Sequence, residues 1–322
     1  MKSDSGKTVE RGPEYLAPDA SRRWGGRVVA FSRQMFPFYP NVVTFLLQFC
    51  VHYFVLSRVF GGEPTAATTT INLVCGATTA VLFVYLFRVF DELKDYPTDK
   101  INFPDRPLVA GIMNVPDARR LWVTTTIALV LLQIPVYRPA LGLAFAAIMG
   151  FSFLAFNWFF AESKIRPNLP LALYTHNPIL YLYQIYTLSF FWPWSGGPLL
   201  PAILFLVGDA MTGTAWEVSR KIRGTSEEDN YVTYSRVWGR GRALTVVALL
   251  CALSASLTLG SLSTRLPPSF LWACLPAAAI FVAFAVAALR FVAKPDRAPP
   301  FKRYVEALKL SLLVAYFVGL AL

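Results

Sequence analysis

"FDELKDYPTDKINFPDRPL", residues 90–108, follows directly on the apolar run 77–90 and sets Asp91, Glu92, Asp95, Asp99 and Asp105 among Lys94, Lys100 and Arg106. Acids at the end of a lipid-suited segment are costly unless they have a partner or a use. Asp91, Asp95 and Asp99 recur at i, i+4 and i+8. On a helix the first pair stacks on one face, about 6 Å apart along the axis. Pro97 lacks a backbone donor and disfavours helix at Tyr96, which predicts that Asp99 reaches the same place from a turn. Carboxylates this close repel one another unless a cation lies between them. Mg2+ suits the position, because it takes one or two carboxylates, keeps several waters and completes its shell with phosphate oxygens. A phosphate on the ligand also accounts for Lys94 and Arg106 among the acids, Arg106 offering a planar fork of donors. A merely solvated charge run needs neither the four-residue spacing nor the place at a helix end.

Outward from this stretch the chain reads as membrane protein. Of its 322 residues 55% are hydrophobic and 15% charged, against roughly 25% charged in soluble domains. Apolar runs over about 37–58, 66–90, 118–137, 139–161, 169–193, 198–219, 242–262, 268–290 and 303–321 are each near the ~20 residues that cross a hydrocarbon core. They predict an all-α polytopic bundle of nine transmembrane helices in one domain over residues 36–322. Residues 1–35 are expected as a flexible basic tail, whose charges suit an anionic lipid surface. Cys50, Cys75, Cys251 and Cys274 lie in apolar runs without metal spacing and read as core residues.

A net charge of +11 raises nucleic-acid binding as a reading, but its distribution argues against it. Apart from Arg58, Arg138, Arg265 and Lys309, every Lys and Arg lies in the tail or at the loops after even-numbered runs. The positive-inside rule therefore places the N-terminus and those loops in the cytoplasm.

"DELKDYPTD" followed by "RPLVAG" resembles the signature (N/D)-(D/E)-x-x-D-x-x-x-D … R-P-L-x-x-G of the UbiA superfamily of intramembrane prenyltransferases. The likeness runs from about residue 37 to the end. It implies nine transmembrane helices around a central cavity, with acid-rich cytoplasmic loops after the second and sixth. It further implies Mg2+, a prenyl diphosphate donor and an apolar acceptor, aromatic or quinone-like. Asp91, Asp95 and Asp99 then hold metal, while Lys94 and Arg106 hold diphosphate.

The second loop departs from the family. In "GDAMTGTAWEVSRKIRGTSEEDNYVTYSRVWGRGRA", residues 208–243, Thr233 and Gly239 keep the expected six-residue spacing. Glu217 takes the place of the first Asp, but Lys221 stands four residues on, beside Arg220, and Glu227, Glu228 and Asp229 come late. One reading keeps Glu217 as a metal ligand and gives diphosphate charge to Arg220, Lys221 and Arg223. The other makes 220–229 an ordinary basic loop end with a solvated acidic turn. Asp209, Gly213 and Glu217 are also spaced like the second metal motif of terpene cyclases, so Asp209 joins the metal candidates and cyclisation is the rival reaction. A non-enzymatic lipid-binding protein is the third reading. Among the in-helix polar residues, Asn72, Asn157, His176, Asn177 and Tyr174 are candidates for the cavity or the acceptor, with interhelical hydrogen bonding the simpler role for each.

Overall fold

The computed structural model describes residues 23–62, 69–229, 231–263 and 265–321. Among these the chain is helical, without a strand. In order come α1 (Trp24–Met35), α2 (Val43–Phe54), α3 (Thr69–Lys94), α4 (Tyr96–Asn102), α5 (Val115–Gln133), α6 (Pro139–Phe156), α7 (Glu162–Ile165) and α8 (Leu169–His176). Then follow α9 (Pro178–Ser189), α10 (Leu199–Ser219), α11 (Tyr234–Val237), α12 (Arg240–Ser263), α13 (Phe270–Ala273), α14 (Leu275–Ala293) and α15 (Phe301–Ala321).

Among the described residues, α3, α6, α10, α12, α14 and α15 are long and apolar enough to span a bilayer, which makes this a multi-pass membrane protein. The other expected runs fold differently. Residues 37–58 give α2 and a π-type continuation at Val55–Val59, apolar but short. The run 118–137 becomes α5, whose first turns carry Asp117, Arg119 and Arg120. The run 169–193 is divided into α8 and α9 at Asn177–Pro178, where the proline cannot supply a helical donor. The run 139–161 stops at Phe156, because Trp158, Phe159 and Phe160 take left-handed φ values of 51°, 52° and 56°.

The described residues group into two compact units, one of those up to Val43 with Val81–Leu131, the other of those in Thr44–Ala80 and from Leu132 onward. In the first, Phe31, Val89, Tyr96, Leu108, Met113, Val115, Ala118 and Leu121 form a buried cluster, flanked by Trp24, Val28 and Met35. The expectation of a flexible tail over residues 1–35 therefore fails for its last third, and residues 1–22 lie outside the described ones. Helix α1 is docked through fully buried Phe31 and through Arg27, whose Nε and Nη2 donate to Asp117 at 2.7 and 2.9 Å.

In the second unit α10 packs against α9, α12 and α15. The approach to α12 is close: a Cβ on Gly208 would lie 2.9 Å from Thr258 Cγ2 and 3.0 Å from the Ser254 carbonyl oxygen. Small residues at such contacts bring helices together where lipid offers no hydrophobic drive. Phe205, fully buried on α10, meets the rings of His52, Phe60 and Tyr316 at 5.2, 6.0 and 5.3 Å.

Removing Arg27 leaves Asp117 buried without its cation, so Arg27→Ala is expected to destabilise the docked helix by about 2–3 kcal/mol. Hydrogen exchange over Trp24–Met35 measures it. Protection equal to wild type would show that Phe31 and its apolar neighbours hold α1 alone.

Candidate functional site

In the first unit the acidic stretch begins on α3 and continues into α4. The break falls at Asp95, which has φ −91° and ψ 0° and precedes α4, with Pro97 in the first turn. Proline there is tolerated, since the first donors of a helix have no intrahelical partner. Asp99 therefore sits on a short helix rather than a turn, and its amide donates to the Asp95 carbonyl at 2.9 Å. Buried Tyr96 and Leu108 anchor the two ends of the segment in the apolar cluster. Gly111 closes it at φ +73°, a left-handed backbone that favours glycine, which accounts for the last position of RPLVAG.

The acids divide into satisfied and unsatisfied groups. Glu92, 1% exposed at its side chain, is paired with Arg88, and Arg106 Nη1 lies 3.4 Å from it. Arg106 Nη1 also donates to Asp99 at 2.6 Å, and the guanidinium lies over the Phe103 ring at 4.7 Å. Asp91 is held only loosely, 3.5 Å from Lys94 and 3.8 Å from Arg88, and is partly exposed. Asp95 has no side-chain hydrogen bond or ion pair among the described residues. Burial first, and then the charge of Asp91, hold its carboxyl up at about 6. Burial also raises Asp99, outweighing Arg106 beside it. Asp91, bridged loosely by Lys94 and Arg88, and Asp95, without a side-chain partner among the described residues, are hard oxygen donors of the type Mg2+ takes. Among the described residues no three of His, Cys, Asp and Glu are gathered closely enough to enclose an ion. Mg2+, which keeps much of its water, does not require such a cage.

Arg88 was not among the sequence candidates. Its signal was present in the spacing, four residues before Glu92 on the same helix face.

In the second unit the acids of residues 217–229 are all engaged. Glu217 accepts from Arg220 Nε and Nη2 at 2.6 and 2.8 Å and lies 3.2 Å from Lys221 Nζ. Glu227 accepts from the backbone amides of Gly224 and Ala298, at 2.8 and 2.9 Å, which hold its carboxyl below the usual range. Glu228 accepts from Thr233 Oγ1 and Ser235 Oγ, the latter at 2.6 Å. Asp229 accepts from Arg223 at 2.6 Å, which lowers it in turn. The Thr233/Gly239 spacing is that of a single-turn helix with its two ends: Thr233 Oγ1 caps α11 by accepting from the Arg236 amide, and Gly239 leaves it at φ +81°.

Asp209 is 3% exposed and faces the interior of its own unit. Its Oδ2 accepts from Gln48 at 2.7 Å and Gln184 at 3.2 Å and lies 3.7 Å from Lys309 Nζ; its Oδ1 lies 3.4 Å from His52 Nε2. Asp209 and Glu217 have separate partners, and Gly213 between them abuts Leu180, so the cyclase-like spacing does not become a joint site.

The candidate acceptor residues are not brought together either. Asn72 is fully buried, donating to Tyr53 Oη at 2.9 Å and accepting from Arg138 at 3.2 Å, an interhelical role rather than a cavity one. Asn157 donates to the Phe153 carbonyl at the end of α6. His176 Nδ1 lies 3.0 Å from the Ala172 carbonyl oxygen, with Trp158 and Phe159 edge-on to its ring. Asn177 joins α8 to α9, and Tyr174 is 80% exposed.

The profile of the UbiA prenyltransferase family matches residues 50–313. A solved structure described as giving insights into the biosynthesis of digeranylgeranylglyceryl phosphate synthase in membranes is similar at a TM-score of 0.58 and 15% identity, over 91% of this chain and 98% of that one. That likeness shows the fold. No curated protein matches.

Asp209→Asn leaves Lys309 without its counter-charge and is expected to cost about 3 kcal/mol, measured by thermal unfolding in detergent. Adding Lys309→Met is expected to restore part of the loss, and equal melting of the single and double variants would refute the coupling.

Proposed function

The chain belongs to the UbiA prenyltransferase family, and from that premise we propose that it transfers an isoprenoid chain from a prenyl diphosphate to an apolar, aromatic or quinone-like acceptor within the membrane. The observation that carries this reading is Asp95, a carboxylate without a side-chain partner among the described residues, one turn from Asp91 and beside the phosphate-suited Arg106. Nine crossings around a central cavity, with the N-terminus and both acidic loops in the cytoplasm, complete it. The distribution of Lys and Arg supports that orientation.

Asp91 and Asp95 would hold Mg2+. When bound, Mg2+ offsets the negative charge that develops on the departing diphosphate. Arg106 is oriented by Asp99 and Glu92 through Nη1, which leaves Nε and Nη2 to donate to a phosphate. Lys94 supplies a further positive charge at the end of α3. The bond between the allylic carbon and the diphosphate oxygen breaks, its electron pair leaving on oxygen. The acceptor's nucleophilic carbon forms the new bond and gives up a proton. Aromatic walls can face the allylic cation without trapping it.

The full chain in detergent, incubated with Mg2+, prenyl diphosphates of graded length and an acceptor-containing membrane extract, is expected to release diphosphate only when acceptor is present. Hydrocarbon or cyclic alcohol formed without acceptor would overturn transfer in favour of cyclisation. Asp91→Ala and Asp95→Ala are expected to lower turnover at least 100-fold with little change in melting, and a chelator to abolish it; wild-type activity in either condition would remove the metal assignment. Protons compete with the metal at Asp95, so the Mg2+ needed for half-maximal rate should rise as pH falls through about 6.

A further inference from the structure

The family's second acid-rich loop implies a metal position, and the residues that stand there in this chain do not fit one. Glu217, in the last turn of α10, has both carboxylate oxygens taken. Oε2 accepts from Arg220 Nε at 2.6 Å, while Oε1 accepts from Arg220 Nη2 at 2.8 Å and lies 3.2 Å from Lys221 Nζ. The position one turn on, where a second carboxylate would share the ion, holds that lysine. Mg2+ sheds its water reluctantly and needs its carboxylates free. Here it would meet one carboxylate and two cations already bonded to it, and like charges repel.

The neighbouring acids are no more available. Asp209 stands eight residues earlier, about 12 Å along the helix axis, whereas two ligands of one Mg2+ lie within about 4 Å of each other. Its oxygens are turned to Gln48, Gln184, His52 and Lys309. Glu227 is fixed on the amides of Gly224 and Ala298, Glu228 on the hydroxyls of Thr233 and Ser235, and Asp229 on Arg223 and the Tyr231 amide. The same segment is tied to itself through the backbone: the Tyr234 amide donates to the Lys221 carbonyl at 3.0 Å, the Arg223 amide to Ser235 Oγ at 3.0 Å, and Arg240 Nε to the Arg223 carbonyl at 3.1 Å. We propose that the Glu217 end of α10 binds no metal ion and that its acids form a structural clasp. Glu217 neutralises Arg220 and Lys221 where the helix ends, and Glu227, Glu228 and Asp229 fix the loop that returns to α11.

A ligand that binds the folded chain raises its melting temperature, and a variant that has lost a contact to that ligand gains less. The test therefore melts the full chain in detergent, wild type against Glu217→Gln, first in EDTA and then in Mg2+ with inorganic diphosphate. Glu217→Gln is expected to melt about 2–4 °C lower, by the same margin in both conditions, because the lost contacts are to Arg220 and Lys221. Mn2+ bound per chain in the presence of diphosphate is expected to be equal in the two proteins. A margin that widens when Mg2+ and diphosphate are added, or one fewer Mn2+ in the variant, would overturn the proposal, and a variant that melts as wild type in EDTA would remove the clasp. Should Glu217→Gln not fold, Glu217→Asp, which keeps the charge but draws it back by one methylene, carries the same comparison. The outcome is separate from that of the first loop: an ion held at Asp91 and Asp95 raises both melting temperatures alike, and its absence leaves the margin in EDTA unchanged.

Discussion

One carboxylate organises the larger unit. Asp209 sits on α10, away from water, and draws Gln48 and His52 from α2, Gln184 from α9 and Lys309 from α15 onto its two oxygens. A buried charge left alone is expensive, so each of these helices is fixed in rotation by the need to present its polar residue inward. The apolar packing follows from that choice. Once α10 faces inward at Asp209, Gly208 on the neighbouring position can bring the backbone against α12, and Phe205 one turn away can fill the space between His52 and Tyr316.

The parts of this architecture that depend on local spacing were legible in the sequence. Apolar runs marked the six long helices, and the six-residue spacing of Thr233 and Gly239, read from the sequence only as a family likeness, falls on the two ends of α11. Interruptions were harder to read. Pro97 looked like the end of helical structure, whereas proline in the first turn of a new helix costs nothing and α4 follows at once. Pro178 divided a run that hydropathy presented as continuous. Long-range partners were not legible at all. Lys309 lay inside the last apolar run and Asp209 inside another, but they stand one hundred positions apart and no local pattern joins them. Nor could spacing tell that Asn72 would be used up by Tyr53 and Arg138.

The two acidic segments show how similar composition can serve opposite chemistry. In the first, Glu92 takes Arg88 and Asp99 takes Arg106, Asp91 keeps only loose bridges to Lys94 and Arg88, and Asp95 has no side-chain partner among the described residues. At the end of α10 the cations outweigh the one acid beside them, and the later acids are absorbed into caps and turns. Counting charges over either stretch gives little guidance, whereas following each oxygen to its partner separates Asp95, which has none among the described residues, from the fully engaged acids of 217–229.

Gly224 decides how the segment after α10 is held. A side chain there would run into the backbone of Asp296 and Arg297, and the absence of one lets Thr225 and Ser226 donate their amides to the Pro295 and Asp296 carbonyls while Ala298 donates to Glu227. The loop after α10 is thereby laced to the connection between α14 and α15. The ordering cost of both connections is met together when the chain folds, so a side chain added at Gly224 would be felt about seventy residues further along the chain, at Asp296.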